Sequence, residues 1–393
     1  MSQELQSDLL LLGVGGGGCR LAAAVTAAYG EGLRSLGVDT DALSNRQASG
    51  GGMNCLLFGG ARLAGHGTGG DAIKGRLGAQ DDVQNLTPHL QGVSTVVLTA
   101  CLGAGTGGGA TPEIVKALHD MGIATLCFLT LPFSFEGEAR RKAAERVLPM
   151  IEENADSLVI VDLDDLFADA NASLLDEAIG KADRIVAAGI TLLWRLVTKP
   201  GFIRMDPERL HSMILRGGNA RFGYASAEGE NRTSQVTSAL RNGCLMRKGD
   251  SLAKANAVLL GILAGADLRL AEVGEIMSKL RFICKAECDI EMGTVLDPQF
   301  NGRIEVVAMT FESWTAAASV AEEQKEAAPA AEPPVAEDFP IHPGNKKARV
   351  NKGSKLSFGA TGRGKFQNVE PTIFKGQDLD IPTFMRRGIQ LDR

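Results

Sequence analysis

Two glycine-rich runs stand where they could hold a phosphate chain. The first, CLGAGTGGGATP, occupies residues 101–112 and follows the apolar segment VSTVVLTA. The second, LGVGGGGCR, occupies residues 12–20 and also follows apolar residues. Each contains the spacing G-x-G-x-x-G, and neither continues into the Lys-Ser or Lys-Thr pair of a Walker A loop. Because Gly also serves ordinary tight turns, either run alone is a weak signal of ligand binding.

A third glycine-rich run favours phosphate binding. AGHGTGGDA occupies residues 64–72, between the other two runs. Backbone N–H groups approach a phosphate chain closely only where no Cβ stands in the way, and helix N-termini favour anions. Three such loops could surround one phosphate chain, with Thr106 adding a hydroxyl donor.

Apolar segments alternate with helical patterns in the first half of the chain. We predict strands at 8–14, 37–40, 93–100, 123–130 and 157–162, and helices at 19–29, 112–121 and 137–154. This alternation is typical of a parallel sheet covered on both faces. A helical pattern from Ser173 to about Thr198 is more than twice the average helix length and stops at Lys199-Pro200-Gly201. Helix and strand signals then continue, which predicts a second α/β domain.

The composition argues against several classes of protein. The net charge is −6 over 393 residues, so a uniformly basic nucleic-acid surface is not expected. The N-terminal segment lacks the features of a signal peptide, and no apolar stretch approaches the ~18 residues of a membrane span. The seven cysteines are scattered, which favours reduced thiols in a cytosolic protein over a metal site.

The C-terminal part differs in composition from the rest. Residues 315–377 are rich in Ala, Pro, Gly, Glu and Lys, which predicts a disordered linker. The following DLDIPTFMRRG would place Ile381, Phe384 and Met385 on one face of a helix. A short amphipathic segment after a flexible tether predicts a partner-binding peptide.

A dinucleotide-binding oxidoreductase is a second interpretation of the glycine runs. A Rossmann fold uses one glycine loop for the pyrophosphate of NAD or FAD and an acidic residue about 20 positions further on. Asp39 or Asp41, at the end of the second predicted strand, could be that residue. This alternative leaves the run at 103–109 and the long helix unexplained.

In their order along the chain, the motifs resemble those of the tubulin/FtsZ superfamily, specifically bacterial FtsZ. GAGTGGG at 103–109 is similar to the signature G-G-G-T-G-T-G, and residues 13–18 match the first loop, G-V-G-G-G-G. P-F-x-F-E-G-x-x-R is matched at 132–140, and the T-x-P-G that follows the long helix is matched at 198–201. Further similar segments are AGADLRLAEV at 264–273, GTVLDP at 293–298 and LDIPTFMRR at 379–387.

The resemblance implies an α/β, tubulin-like architecture. A parallel-sheet GTP-binding domain at 1–172 would be joined by a long central helix at 173–200 to a smaller α/β activation domain at 201–314. The linker at 315–377 and the partner-binding peptide at 378–393 would follow. The implied protein is a GTPase that binds GTP or GDP with Mg²⁺ and assembles head to tail with copies of itself. In such filaments the loop after the central helix completes the active site of the neighbouring subunit.

By position, the resemblance assigns nucleotide contacts to several loops. The residues are Gly15, Gly16, Gly17, Cys19, Arg20, Gly67, Thr68, Gly69, Gly103, Ala104, Gly105, Thr106, Gly107, Gly108, Glu136, Arg140 and Asp183. Ala104 replaces a glycine of the signature and Gly108 a threonine. Leu163 stands where the family has an asparagine near the ribose and base, and a leucine offers no hydrogen bond. Guanine preference therefore rests mainly on Asp183, which aligns with the carboxylate that reads N1 and N2 of the base.

The catalytic loop departs further from the family pattern N-x-D-x-x-D. PGFIRMDPERL places Arg204 at the Asn position, Asp206 at the first Asp and Arg209 at the second. Asp206 can orient a water in line with the γ-phosphate, and Glu208 could replace the missing second carboxylate. Arg204 could stabilise transition-state charge, but pairing of both arginines with acidic groups at the interface is the favoured interpretation. We expect slow GTP hydrolysis that depends on assembly.

The resemblance also implies a cellular role. Division proteins would bind residues 378–388 and tether filaments to the membrane, so contact with the membrane would be indirect. The expected location is the cytoplasm, at the midcell division ring. An FtsZ-like paralogue with another filament function is the alternative, and the closely matching terminal peptide argues against it.

Overall fold

The computed structural model describes residues 8–30, 32–50, 52–167, 175–199 and 201–314, together with the backbone of 373–374 and 377–378. Contacts group the chain into two units, Met1–Ala328 and Pro329–Arg393. The predicted linker and partner-binding peptide therefore lie almost entirely outside the described residues.

Twelve strands are assigned among the described residues. They are β1 (Leu9–Val14), β2 (Ser35–Asp39), β3 (Asn54–Leu57), β4 (Thr95–Cys101), β5 (Ala124–Leu131), β6 (Ser157–Asp162), β7 (Gly218–Glu228), β8 (Ala257–Ala264), β9 (Asp289–Leu296), β10 (Arg303–Phe311), β11 (Ile373–Phe374) and β12 (Gln377–Asp378). The last two pair with each other as a short antiparallel hairpin in the second unit.

Twelve α-helices accompany the strands in the described part of the chain. They are α1 (Gly15–Tyr29), α2 (Ala42–Ser49), α3 (Gly60–Leu63), α4 (Ala72–Asp82), α5 (Gly105–Asp120), α6 (Glu138–Glu152), α7 (Leu163–Phe167), α8 (Leu175–Thr198), α9 (Pro207–Leu215), α10 (Arg232–Asn242), α11 (Asp250–Lys254) and α12 (Leu270–Ile283). Helices α1 and α5 begin earlier than the sequence predicts, because the glycine runs form their first turns rather than separate loops.

One ten-stranded sheet runs through the first unit. Its strand order is β3-β2-β1-β4-β5-β6-β7-β10-β8-β9. The strands from β3 to β7 pair in parallel, β10 is antiparallel to both β7 and β8, and β8 is parallel to β9. The short pairing of Ser157–Val159 with Gly218–Ala220 makes the sheet continuous. The domain division at 172 and 201 stays a prediction, because one sheet passes through both halves.

Helices cover both faces of this sheet. Along β1, Leu9 and Leu11 belong to one core, whereas Leu10 and Leu12 belong to another, as the alternation of a strand requires. The first core packs α1, α8 and α9 and extends across both halves of the sheet. The second packs α5 and α6 on the opposite face, and a third packs α10 and α12 beside the C-terminal strands. The long helix α8 therefore rests on both halves at once.

Candidate nucleotide-binding site

The glycine runs begin two helices at the carboxyl edge of the sheet. Helix α1 starts at Gly15, directly after β1, and α5 starts at Gly105, four residues after β4 ends at Cys101. The first N–H groups of a helix have no acceptor within the helix. These two first turns therefore present free donors and the positive ends of two helix dipoles at the same edge.

The three glycine-rich runs touch one another there. A Cβ built on Gly15 would lie 2.7 Å from the amide nitrogen of Gly107, so the runs at 12–20 and 101–112 are in backbone contact. A Cβ on Gly105 would overlap the hydroxyl of Thr68, which belongs to the middle run. Gly15 also has a φ of 72° and Gly103 a φ of 84°, a region that favours glycine. Glycine is thus required by contact as well as by backbone conformation.

The remaining predicted glycines differ in their surroundings. A Cβ on Gly17 would lie 2.5 Å from the Cys101 thiol, and one on Gly16 would lie 3.4 Å from Asp39. Gly67 and Gly69 have φ values of 71° and 64° in the middle run. Gly17, Gly67 and Gly69 therefore restrict side chains, by close contact or by backbone conformation, whereas a Cβ on Gly16 would make only ordinary van der Waals contacts.

The two departures within the signature are accommodated by the fold. Ala104 has φ −101° and ψ 172°, an extended conformation that alanine adopts without strain. A Cβ on Gly108 would meet only the Gly103 nitrogen, at 3.8 Å. Both residues therefore fit the loop without backbone strain or a close contact.

Two of the residues predicted to contact the nucleotide direct their side chains into the protein interior. Thr106 is buried, and its hydroxyl lies 2.7 Å from the Thr40 hydroxyl. Cys19 is also buried, with its thiol directed at the carbonyl oxygens of Gly13 and Val38. Burial raises the pKa of the Cys19 thiol, so it stays neutral. What Thr106 and Cys19 could offer a ligand is therefore mainly backbone.

Asp39 is a buried carboxylate beside the glycine runs. Asp39 is 3% exposed, and its carboxylate accepts a hydrogen bond from the backbone N–H of Thr40 at 2.7 Å. Burial raises the pKa of Asp39 above its ordinary value of 3.8. The sequence drew attention to Asp39 only as a ribose ligand of the oxidoreductase alternative. Its position at the end of the strand next to β1 was the signal that it belongs to this edge.

Charged side chains form the rim of the site. Arg20 on α1 pairs with Asp183 on α8, with 2.7 Å between Nε and Oδ2. Glu136 and Arg140 form an ion pair of their own at the start of α6. Leu163, predicted to be near the base, is the first residue of α7 and is half-buried.

The predicted catalytic loop lies at the opposite edge of the sheet. Arg204 and Glu208 line a cavity of about 230 Å³ together with Leu9 and Thr95, the first residues of β1 and β4. The glycine runs follow the last residues of the same two strands. A six-residue strand is about 20 Å long, so the two sets of residues cannot meet within one subunit.

Within that loop, Asp206 has a structural contact of its own. Asp206 caps α9, because its carboxylate accepts the backbone N–H of Glu208 at 3.0 Å. Arg204, Asp206 and Glu208 are all exposed. Their side chains are accessible to a second molecule.

Arg209, which occupies the second acidic position of the family loop, is held by its own chain. It forms ion pairs with Asp289 and Glu291, the latter at 3.5 Å, and its guanidinium lies 5.3 Å from the ring centroid of Trp314. The sequence led us to expect acidic partners across an interface, whereas these partners are intramolecular. The fixed positive charge therefore anchors α9 to β9.

The described residues contain no helix long and apolar enough to cross a bilayer. Within the same part of the chain, no cluster of three or more His, Cys, Asp or Glu side chains is arranged to hold a metal ion.

The fold, together with the glycine runs at the carboxyl edge of the sheet, defines a tubulin-like nucleotide-binding protein. The family model described as the Tubulin/FtsZ family, GTPase domain matches residues 8–171, and that of the FtsZ family, C-terminal domain matches residues 218–312. The chain belongs to the FtsZ family of GTP-binding cytoskeletal proteins.

Curated relatives support this assignment. The chain is 32% identical over 316 residues to cell division protein FtsZ 2 of Rhizobium meliloti, covering 79% of this chain and 90% of that protein. It is 31% identical over 302 residues to cell division protein FtsZ of Pseudomonas putida, covering 76% of this chain and 75% of that protein. The predicted family is confirmed, and the oxidoreductase alternative is set aside.

Solved structures show the same fold. An empty FtsZ dimer of M. jannaschii superposes with a TM-score of 0.73 at 24% identity and covers 79% of this chain and 89% of that chain. CetZ2 from Haloferax volcanii, in a GTPγS-bound protofilament, gives a TM-score of 0.64 at 23% identity, with 81% and 97% covered. The predicted tubulin-like fold is confirmed.

Proposed function

We propose that this protein is a GTP-hydrolysing subunit of head-to-tail filaments in the bacterial division ring. The observation that carries the proposal is the separation of the glycine turns and the catalytic loop on opposite edges of one sheet. A loop exposed at one edge can reach a nucleotide at the other edge only in a neighbouring copy. Translation of one subunit onto the next brings the two half-sites together and generates an open filament.

The glycine turns would hold the phosphates of GTP or GDP. Backbone N–H groups of the first turns of α1 and α5 supply the donors, and the missing Cβ atoms allow close approach. A Cβ on Gly15 or Gly105 would force the glycine runs apart, so glycine at these two positions keeps the backbone donors of the runs close together. Mg²⁺ would bind mainly through phosphate oxygens and water, which suits a cation that keeps its hydration shell.

The loop residues would act on the neighbour's nucleotide. Asp206 orients water, Glu208 supplies the second carboxylate, and Arg204 contacts the phosphate edge or an acidic group across the interface. Because Arg209 replaces a carboxylate and is neutralised by Asp289 and Glu291, the loop has lost one acceptor. We therefore propose slow, assembly-dependent hydrolysis.

The terminal peptide would link filaments to other division proteins. Residues 378–388 combine acidic, apolar and basic side chains in the order found in the family's partner-binding peptide. The filaments would lie in the cytoplasm at midcell, with the membrane reached through these partners. Guanine recognition would rest on Asp183 at the rim of the site.

Two complementary variants test the shared site. Gly105→Val blocks the nucleotide edge of a subunit, and the double variant Asp206→Ser, Glu208→Gln disables its loop edge. We expect each variant alone to release almost no phosphate from GTP. An equimolar mixture should recover hydrolysis, because an intact loop can then meet an intact nucleotide edge. Gly108→Ala, in the same turn as Gly105, serves as the control that leaves the cradle open.

The mixture separates the proposal from its alternatives. Hydrolysis by either variant alone at the parental rate would contradict a site shared between subunits. Polymers that form with GTP but never hydrolyse it, in parent and mixture alike, would favour a paralogue with a different filament function. Pelleting and electron microscopy with GTP, with GDP and without nucleotide establish the amount of polymer in each case.

A further inference from the structure

The carboxylate expected to read guanine is already occupied. Arg20 Nε donates to Asp183 Oδ2 at 2.7 Å, and Arg20 Nη2 approaches Oδ1 at 3.4 Å. Both oxygens of Asp183 therefore face the same guanidinium. The pair joins α1, at the last residue of the glycine-rich run 12–20, to the long helix α8. This contact raises the pKa of Arg20 above its ordinary value, so the arginine stays charged.

Guanine needs the same two oxygens. A carboxylate reads guanine by accepting from N1–H and from the exocyclic N2–H₂, one donor for each oxygen. A guanidinium that holds both oxygens is a direct competitor of the base. Adenine has no such pair of donors on that edge, so it gains no matching pair of hydrogen bonds when Asp183 is released. Arg20 therefore lowers the affinity of the site for guanine but not for adenine.

The structure offers Arg20 a second location. Its side chain is 56% exposed, so it can leave Asp183 without disturbing the core. On its other side lies a cavity of about 380 Å³ between α1 and α2, lined by Gly16, Ser44 and Gln47 along with Arg20 itself. A guanidinium that swings into this cavity stays beside the first turn of α1, where the phosphates would bind.

We propose that Arg20 is a specificity-determining residue that competes with the purine base for Asp183, so that guanine nucleotide binds only as Arg20 swings towards α2. The proposal rests on the nucleotide site described under the proposed function. Arg20 acts through Asp183 and is in that sense a positioning residue. Its effect is to lower the preference of the site for guanine over adenine.

Equilibrium binding of GDP, IDP and ADP to the full chain tests the proposal. Exposed ion pairs contribute little, so we expect Arg20→Ala to tighten GDP binding by at most about fivefold. The gain should be smaller for IDP, which lacks the N2 amino group, and absent for ADP. Arg20→Lys, which cannot engage both oxygens in the same way, should fall between Ala and the parent. Lys254→Ala, which breaks the exposed pair with Asp250, is the control for loss of a surface charge.

A double variant shows whether Arg20 acts through Asp183. In an Asp183→Ala background, removal of Arg20 should give no further gain for GDP. An Arg20→Ala variant that binds GDP and ADP more weakly by the same factor would overturn the proposal and make Arg20 a phosphate ligand. Unchanged GDP and ADP affinities would also overturn it. Failure of the parent to bind any of the three nucleotides would instead contradict the proposed function itself.

Discussion

At the scale of single residues, two glycines in one helical turn differ in how tightly their surroundings pack against them. A Cβ on Gly105 would overlap Thr68, whereas one on Gly108 would meet no atom closer than 3.8 Å. The sequence shows only two members of the same run. Their difference arises because the middle run packs against one side of the turn and not the other.

This difference gives a first prediction. We expect Gly105→Ala to weaken GDP binding by about tenfold or more, because the loops must move apart at the phosphate cradle. Gly108→Ala should bind GDP as the parent does and stabilise α5 by about 0.5–1 kcal/mol. Nucleotide titration and urea unfolding measure the two effects. Equal losses of affinity in both variants would show that the packing of the loops is not the cause.

Asp39 gives a second prediction at this scale. Because burial raises its pKa in the folded chain, folding favours the protonated form. Stability from this group is complete below its ordinary pKa of 3.8 and is lost as pH rises through the higher folded-state value. Asp39→Asn should therefore be more stable than the parent at pH 7, with the difference shrinking towards pH 4.

The carboxylate of Asp81 gives a pH dependence of stability with the opposite sign. The Arg62 guanidinium lowers the pKa of Asp81, so this group contributes stability at neutral pH that is lost as pH falls. Asp81→Asn should accordingly be no more stable than the parent at pH 7. Urea unfolding between pH 4 and 8 checks both variants. If the parent were as stable as Asp39→Asn at every pH, the buried charge of Asp39 would not destabilise the fold, and the prediction would be wrong.

At the scale of elements, helix α8 holds the two halves of the sheet together by close packing. Gly189 lies against the buried ring of Phe222 on β7, and a Cβ there would overlap the ring. Phe222 in turn meets Phe128 of β5 edge to face, with 5.5 Å between ring centroids. The absence of a side chain at one helix position thus allows α8 to approach both halves.

We expect Gly189→Ala to destabilise the chain by about 1–3 kcal/mol through overpacking. Gly274→Ala is the matched control, because Gly274 lies in α12 with no atom near its absent Cβ. That control should gain about 0.5–1 kcal/mol, since alanine is the better helix former. Denaturant unfolding provides the comparison. Stabilisation of both variants would mean that α8 can shift without cost.

The N-terminus of α9 gives a prediction about the catalytic loop. Asp206 both caps this helix and carries the proposed water-orienting carboxylate. Serine keeps the cap and removes the carboxylate, whereas alanine also loses the cap, at a cost of about 0.5–2 kcal/mol. Asp206→Ser should thus unfold like the parent but hydrolyse GTP at least about tenfold more slowly at matched filament mass. Undiminished turnover would exclude Asp206 from catalysis.

At the scale of the whole molecule, the two proposed half-sites lie at opposite edges of the sheet. Glycine turns follow β1 and β4, and the predicted catalytic loop lies against the first residues of these strands. The exposed side chains of Phe202 and Ile203, 86% and 39% accessible, project from the loop edge. A molecule with this polarity is suited to addition of subunits along one axis.

A deletion tests whether the terminal peptide is needed for localisation but not for assembly. We expect removal of residues 378–393 to leave GTP-dependent pelleting unchanged and to abolish localisation at midcell. The expectation follows because both half-sites lie before residue 315. Fluorescence microscopy of a tagged chain, alongside pelleting of the purified protein, checks it. Midcell localisation of the truncated chain would contradict a role for the peptide in recruitment.

From the amino-acid sequence alone one can predict the alternation of strands and helices and the family to which the glycine runs and the other motifs belong. These features depend on local chemistry: apolar strands, missing Cβ atoms and a helix stop at Lys199-Pro200-Gly201. The prediction misjudged where α1 and α5 begin, because glycine disfavours helix unless packing requires it. It also placed the acidic partners of Arg209 across an interface, whereas they belong to the same chain.

Which distant residues meet depends on the fold and could not be predicted from the sequence. The Arg20–Asp183 pair spans 163 positions, the Arg209–Asp289 pair spans 80, and the burial of Asp39 depends on strands and loops on either side of it. The separation of the half-sites likewise follows from the parallel pairing of β1 with β4, which places equivalent strand ends at the same edge. Such contacts depend on the order in which strands assemble, and residue types alone do not specify that order.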